Sequence, residues 1–331
     1  RAQGPDAGTY GARAAVIGGC TGTSNVLCGQ LFDIPVKGTH AHSWIMSFPD
    51  EYSAFKSYAK LYPSACILLV DTYDTLKSGV PNAIRVFREM REENIPLSFY
   101  GIRLDSGDLA YLSKEARKML DDAGFPDAII SASNDLDEYL IDSLKTQGAA
   151  ITSWGVGTNL ITAKDNPSFG GVYKLAAIMN PDGTFQPKIK LSENTEKITN
   201  PGNKKIYRIY EKTSGKIKAD LICMDNEKFT EDKPLLLFDP LEPWKKTMLK
   251  PGSFSLLMKP VFQNGQCCYN SPKVMDIRTY CQQEQATLWD ETRRLVNPHQ
   301  VYVDLSQKLY DTKISLLQQM SHIDSADNIE K

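Results

Sequence analysis

The chain has 331 residues, of which 41% are hydrophobic and 24% are charged, and its formal net charge is −2. This balance is typical of a folded globular protein that is large enough for two domains. The basic residues are scattered and no apolar stretch reaches membrane-spanning length, so we expect no nucleic-acid partner, no membrane partner and a cytoplasmic location.

The first half of the chain predicts a repeated strand–helix unit. Apolar runs recur about every thirty residues and are separated by segments with helical periodicity. Because strands and helices alternate, the sheet must be parallel, and the number of units favours an irregular or incomplete (β/α) barrel. We assign residues 1–170 to this α/β barrel core and expect it to carry the active site. The predicted strands are Ile34–Val36, Cys66–Val70, Leu97–Leu104, Ala128–Ser131 and Ile151–Val156.

The second half, residues 171–331, predicts a β-rich domain or layer that ends in helices. Tight-turn sequences separate short runs of alternating apolar residues, which is typical of antiparallel strands. Two polar segments near the end, Thr279–Leu295 and Leu305–Met320, are predicted helices. The predicted strands are Val172–Ile178, Lys188–Leu191, Lys205–Glu211, Lys216–Cys223 and Ser253–Phe262.

The cysteines and histidines predict no metal-binding cluster of their own. The seven cysteines form no CxxC pair and lie mostly in apolar surroundings, and there are only four histidines. We therefore expect reduced thiols, without disulfides, and we assign no protein ligands to a metal.

Polar residues follow each of the five predicted strands of the first half. In parallel α/β folds the carboxyl ends of neighbouring strands meet at one edge, where ligands bind. The coincidence predicts a single site built from five loops. The residues concerned are Thr39, His40, His42 and Ser43; Asp71 and Asp74; Arg103, Asp105 and Asp108; Ser131, Ser133 and Asn134; and Gly155, Gly157 and Thr158.

Two kinds of charged side chain at these loops suggest how ligands are held. Arg103 lies within a predicted strand and needs an anion, which is either an internal carboxylate or a carboxylate or phosphate of a substrate. Asp71 and Asp105 suit sugar hydroxyls or a phosphate that carries Mg²⁺, although a helix-capping role is equally open to them. For Asp108 we expect a helix cap.

The glycines and histidines at the strand ends leave further alternatives open. Gly155 and Gly157 permit close approach of the backbone to a ligand, and Thr158 with the following N–H groups suits a phosphate. The same glycines also fit a turn with a purely geometric role. His40 and His42 are either hydrogen-bonded structural groups or point into the site.

Several longer motifs resemble the nicotinate phosphoribosyltransferase family. They are GTSNVLCGQLFDIPVKGTHAHSWIMSF (Gly22–Phe48), FYGIRLDSGDL (Phe99–Leu109), ISASNDLDE, WGVGTNLITA and NPHQVYVDLSQKLYD, which follow one another from the first residue to about Met320. The resemblance implies a type II phosphoribosyltransferase fold, an irregular α/β barrel with a second α/β domain. It also implies a homodimer and a ligase-type enzyme of NAD salvage. Such an enzyme joins nicotinate to 5-phosphoribosyl 1-diphosphate, with coupled ATP hydrolysis and Mg²⁺ on the diphosphate.

The resemblance also implies a role for each matching residue. His42 corresponds to the histidine that ATP phosphorylates, and His42 and Asp105 are the implied catalytic residues. Thr39 and Arg103 correspond to nicotinate contacts, and Asp105 to the residue that holds the ribose hydroxyls. Gly155, Gly157 and Thr158 correspond to the loop that holds the 5′-phosphate, and Asp71 to a residue near the ribose or the diphosphate.

The chain departs from the family pattern at its front. The pattern before Ala2–Pro5 carries two arginines, of which only Arg1 is present. In the family the preceding segment completes the second domain and supplies an aromatic residue that stacks on nicotinate across the dimer. We therefore expect a fragment, or a protein that has lost its front, with little activity by itself. A nicotinamide-specific relative and a truncated, non-catalytic phosphoribosyl-binding protein are the alternative functions.

Overall fold

The computed structural model describes residues 1–242, 244–250 and 252–327, with side chains as far as residue 320, and it contains two compact units. The first unit comprises Arg1–Phe169 together with Lys273–Thr279. The second comprises Gly170–Pro272 and the described residues from Tyr280 onward. No helix among the described residues is both long and apolar enough to cross a membrane.

The first unit is built on an open parallel sheet of four strands. The strands are β1 (Cys66–Leu69), β2 (Tyr100–Leu104), β3 (Ile129–Ala132) and β4 (Ser153–Trp154), and they lie in that order. The parallel sheet confirms the mixed α/β prediction, but these strands do not close into a barrel within the described residues.

Helices surround or follow this sheet along the first unit. A 3₁₀ turn, Pro63–Ala65, precedes β1, and a π-helical turn, Thr75–Gly79, follows it. The helices are α1 (Pro5–Gly18), α2 (Val26–Phe32), α3 (His42–Met46), α4 (Glu51–Leu61), α5 (Val80–Glu92), α6 (Leu109–Asp122), α7 (Glu138–Thr146) and α8 (Thr158–Ile161).

The prediction of a first strand at Ile34–Val36 is wrong. Val36 forms only one isolated parallel bridge, with Thr23, and the segment is not part of the sheet. Pro35 lies in the middle of the run and has no N–H to donate, so a regular ladder cannot form there.

The core of the first unit lies between the sheet and its helices. β1 is buried along its whole length, and Phe87 of α5 and Phe125 after α6 are completely buried with it. Gly101 allows β2 and β3 to approach, because a Cβ at this position would lie 2.0 Å from the carbonyl oxygen of Ile129. Asp108 caps α6 by accepting a bond from the N–H of Tyr111, as predicted.

The strands of the second unit are β5 (Ala177–Met179), β6 (Phe185–Pro187), β7 (Lys204–Tyr210), β8 (Ile217–Met224), β9 (Leu235–Phe238), β10 (Lys246–Leu249), β11 (Ser253–Leu256), β12 (Phe262–Gln263), β13 (Gln266–Cys267) and β14 (Tyr302–Leu305). They form a six-stranded sheet in the order β10-β9-β14-β8-β7-β11 and two hairpins, β5–β6 and β12–β13. All these strand pairs are antiparallel except β14 with β8. Helix α9 (Val274–Ala286) belongs to the first unit as far as Thr279 and to the second unit from Tyr280, and α10 (Gln307–Asp327) belongs to the second unit.

Three strands of the second unit differ from expectation. In place of the expected strand Val172–Ile178, β5 begins only at Ala177 and ends at Met179. No strand occupies Lys188–Leu191, because the turn after β5 closes tightly and pairs the residues directly beside it, Met179 with Phe185. The expected strand Ser253–Phe262 is divided into β11 and β12. Pro260 lies between the two parts and cannot donate to a ladder.

The last helices begin and end at different residues from those predicted. The helix expected at Thr279–Leu295 spans Val274–Ala286, and the Lys216 ammonium donates to the Ala286 carbonyl at its end, 2.9 Å away. The last helix begins at Gln307, because Ser306 is its N-terminal cap: the Ser306 hydroxyl accepts a bond from the N–H of Leu309.

Candidate active site

The four strands of the parallel sheet end side by side. The register pairs Leu69 with Arg103, and it pairs Ala132 with both Leu104 and Trp154. The loops that begin after these residues therefore leave the sheet at the same edge, which is where ligands bind in parallel α/β folds.

His42 lies at this edge, at the first position of α3. Its Nδ1 is 3.1 Å from the hydroxyl of Thr72, and its Nε2 is 3.6 Å from Oδ2 of Asp105 and 4.0 Å from Oδ1 of Asp71. If the Thr72 hydroxyl accepts from Nδ1–H, the lone pair of the neutral imidazole is at Nε2. The His42 side chain is 39% exposed, so solvent can reach the imidazole.

Asp71 connects the first two strand ends. Its side chain is only 1% exposed, and Oδ2 accepts bonds from the backbone N–H of Asp105 at 2.8 Å and from the hydroxyl of Ser106 at 2.7 Å. Its Oδ1 is buried and has no hydrogen-bond partner among the described residues. One carboxylate oxygen thus fixes the neighbouring loop, while the other retains its capacity to accept a bond.

Arg103 and Thr39 form a second contact at the edge. One terminal guanidinium nitrogen of Arg103 donates to the Thr39 hydroxyl, which itself donates to the carbonyl of His40 at 3.2 Å. Arg103 makes no ion pair with any described residue, and its Nε is buried without a partner. The internal salt bridge that the sequence left open is therefore absent from the described part of the chain, which favours an external anion.

His40, the neighbour of Thr39, is a structural group. Its Nε2 accepts the N–H of Leu69 at 3.2 Å, and its ring packs edge-on against Tyr58. Burial lowers the pKa of His40 to about 4. The imidazole is therefore neutral near pH 7 and ties the Thr39 loop to β1, so the two histidines have separate tasks.

The third and fourth strand ends join the same cluster. The Ser133 hydroxyl donates to Oδ1 of Asp105, and a Cβ on Gly155 would lie 3.3 Å from Cβ of Ser133. Apart from Gly157 and its two chain neighbours, no heavy atom of the described residues lies within 4 Å of the position of a Cβ on Gly157, so that side of the loop is open. Thr158 begins α8, and its hydroxyl accepts a bond from Arg1 at 2.6 Å.

The arrangement suits a metal ion that arrives with a substrate. Among the described residues no group of three or more His, Cys, Asp or Glu side chains could hold a metal ion. The unpartnered Oδ1 of Asp71 and Oδ2 of Asp105 both face His42, however, and Mg²⁺ commonly binds one or two carboxylates together with substrate phosphates. The residues present therefore fit a magnesium–diphosphate complex.

Two members of the cluster were not predicted from the sequence. Thr72 orients His42, and Ser106 holds Asp71. Each is a small hydroxyl residue directly after a predicted acidic residue, and that adjacency is the one sequence signal that could have identified them.

Comparisons with known proteins agree with this architecture. A sequence model described as the nicotinate phosphoribosyltransferase (NAPRTase) family matches residues 7–213, and one for the nicotinate phosphoribosyltransferase C-terminal domain matches residues 203–313. The chain is 48% identical over 320 residues to a nicotinate phosphoribosyltransferase of Bacillus subtilis, covering 97% of this chain and 64% of that protein. It is 36% identical to one of Dictyostelium discoideum, covering 94% of this chain and 61% of that protein.

A solved structure is also similar. The crystal structure of human nicotinic acid phosphoribosyltransferase matches with a TM-score of 0.77 and 28% identity, over 96% of this chain and 69% of that one. The chain spans between 61% and 66% of the length of eight curated relatives that it matches, including the two named above. With a family model matched over more than half its residues, the chain belongs to the nicotinate phosphoribosyltransferase family.

Proposed function

We propose that the protein transfers the phosphoribosyl group of 5-phosphoribosyl 1-diphosphate to nicotinate, with coupled ATP hydrolysis, in NAD salvage. The observation that supports this most strongly is the guanidinium of Arg103, which has no acidic partner among the described residues and lies on the same sheet edge as the cluster of His42, Asp71 and Asp105. An anionic aromatic substrate needs a cation such as Arg103, and a phosphorylated sugar with its Mg²⁺ needs carboxylates such as Asp71 and Asp105.

Arg103 and Thr39 would bind the carboxylate of nicotinate. A guanidinium presents a planar set of donors that matches a carboxylate, and the Thr39 hydroxyl fixes its orientation. Nicotinamide carries a neutral amide and would leave the half-buried charge of Arg103 without an anion. The site therefore favours nicotinate over the nicotinamide-specific alternative.

Asp105 would hold the ribose hydroxyls. Departure of diphosphate builds positive charge on the ribose ring, and a carboxylate held rigidly by Ser133 would stabilise that charge and fix the ring. Asp71 would support this arrangement, because it binds the backbone N–H of Asp105. When bound beside Asp71, Mg²⁺ would neutralise charge on the departing diphosphate.

The loop of Gly155, Gly157 and Thr158 would bind the 5′-phosphate. The open side of Gly157 allows a phosphate to approach the backbone, and the Thr158 hydroxyl can donate to it. Arg1 places a guanidinium at the same hydroxyl and would add a positive charge there.

His42 would take the phosphoryl group of ATP. Its Nε2 would attack the γ-phosphorus, the bond to ADP would break, and ADP would leave with the bridging oxygen. Hydrolysis of the phosphohistidine then returns the imidazole and phosphate. The added charge beside Asp71 and Asp105 would alter how diphosphate is held, which couples ATP use to turnover without requiring His42 to act as a base. The homodimer and the cytoplasmic location remain predictions.

Product analysis tests the proposal. Labelled nicotinate, 5-phosphoribosyl 1-diphosphate, Mg²⁺ and ATP are incubated with this chain and with a version extended at its front to the length of its relatives. We expect mass spectrometry to detect nicotinate mononucleotide with the extended version and little or none with Asp105→Asn. Binding of phosphoribosyl diphosphate without any nucleotide formed by either version would instead support the non-catalytic alternative.

A further inference from the structure

A buried carboxylate outside the cluster contacts the loop that carries Asp71. Glu51 is the first residue of α4 and is only 3% exposed. Its Oε2 accepts bonds from the Ser78 hydroxyl at 2.6 Å and from the Asn82 amide at 3.3 Å, and its Oε1 is buried without a partner among the described residues. Removing a carboxylate from water costs free energy, so a buried carboxylate suggests a structural or functional role.

Ser78 belongs to the π-helical turn Thr75–Gly79, an unusual element that is frequently found at functional sites. The turn closes with a bond from the N–H of Gly79 to the carbonyl of Asp74, at 2.9 Å. Gly79 packs directly on the end of β1, because a Cβ on it would lie 1.8 Å from the carbonyl oxygen of Val70. The residue after Val70 is Asp71, so the packing of Gly79 on Val70 fixes the turn directly beside Asp71.

The loop between β1 and α5 is therefore held at two points by residues 42–51. His42 contacts Thr72 at the start of this loop, and nine residues later in sequence Glu51 binds Ser78 at its end. The loop lies between these two attachments. A change at Glu51 would be transmitted to the spacing between His42 and the pair Asp71 and Thr72.

We propose that Glu51 is a positioning residue, which fixes the π-helical turn and thereby holds Asp71 and Thr72 at the distance that His42 requires. The effect on turnover rests on the proposed function, whereas the effect on the loop does not. Loss of the Glu51 carboxylate leaves the Ser78 hydroxyl without its acceptor, and the Asn82 amide keeps only its 3.3 Å bond to the Ser78 hydroxyl. The side chains of Arg103 and Thr39, which are proposed to bind nicotinate, have no hydrogen bond or ion pair with this loop; only the backbone carbonyl of Arg103 accepts the N–H of Val70, at 3.1 Å.

The experiment compares Glu51→Ala with Ser78→Ala and with a matched control, Glu89→Gln. Glu89 also joins α5 to α4, by accepting bonds from Tyr52 and Lys56, but it does not touch the turn. Hydrogen exchange of the amides of residues 71–79 is measured by mass spectrometry on the full chain, without substrate. We expect faster exchange there in Glu51→Ala and Ser78→Ala and unchanged exchange in Glu89→Gln.

A kinetic measurement separates positioning from general damage. In the front-extended enzyme we expect kcat to fall about ten- to a hundredfold in Glu51→Ala, the range that a small misplacement of reacting groups causes. KM for nicotinate should change little, and Ser78→Ala should act in the same direction. Equal exchange at residues 71–79 in all variants would overturn the proposal. So would a rise in KM for nicotinate with kcat unchanged. If the wild-type chain forms no product, the exchange result alone decides it.

Discussion

Replacement of Arg103 by Ala should remove the preference for nicotinate over nicotinamide. Arg103 has no acidic partner among the described residues, and its Nε is buried, so a bound carboxylate would meet it in a partly dry site. Truncating one member of a buried charge pair costs about 2–5 kcal/mol, and we take the lower half of this range because the site opens to solvent. A loss of about 2–3 kcal/mol corresponds to a roughly thirty- to 150-fold weaker binding of nicotinate.

Isothermal titration of wild type and variant with both ligands measures this loss. The affinity for nicotinamide should fall by less than about tenfold, because a neutral hydrogen bond contributes about 0.5–1.5 kcal/mol. Arg103→Lys keeps the charge but not the planar donors and should lie between wild type and Arg103→Ala. Equal losses for the two ligands, or no loss in the front-extended protein, would refute the assignment of this guanidinium to the carboxylate.

Three further predictions concern His42, Glu51 and Arg278. His42→Asn should abolish protein labelling by ATP carrying a labelled γ-phosphate, while nicotinate affinity is retained, because Arg103 is unchanged. Burial raises the pKa of Glu51 above its ordinary value of 4.5. As the pH rises from 4.5 to the raised pKa of the folded state, the free energy of unfolding of the wild type should fall relative to that of Glu51→Gln. Arg278→Met should reduce the free energy of unfolding in urea by about 1–3 kcal/mol, because three backbone carbonyls at the end of α1 lose their donor.

Each of these predictions has a control. His299→Asn alters an exposed histidine and should keep the ATP-derived label; a label that persists in His42→Asn would contradict the role of that imidazole. The sign for Glu51 follows because a folded chain with a raised carboxyl pKa binds more protons than the unfolded chain; the neighbouring charges are Asp71 and Asp74, which act in the same direction. A pH-independent difference would contradict it. Lys77→Met removes a side chain that is 88% exposed and should leave stability nearly unchanged.

The positions of the acidic residues were predictable because each follows an apolar run. Asp71 and Asp105 stand where a buried strand meets a polar loop, and any parallel sheet brings such positions to one edge. Their partners were not predictable in the same way. That Asp71 binds the backbone of Asp105, and that Ser133 binds its side chain, depends on which strands are neighbours and in what register.

The choice between alternatives also needed tertiary structure. The sequence left Arg103 with either an internal or an external anion, and only the packed site excludes an internal partner among the described residues. His40 and His42 are separated by one residue, yet one is buried against β1 and the other faces the carboxylates. The link from Glu51 to Ser78 spans 27 residues and has no sequence signature.

The most direct test of the whole account is a crystal structure of the protein with nicotinate mononucleotide bound. It should place the pyridine carboxylate on Arg103 and Thr39, the ribose hydroxyls beside Asp105, and the phosphate at Gly157 and Thr158. A nucleotide bound away from this sheet edge, or bound there with its phosphate at Arg103, would contradict it.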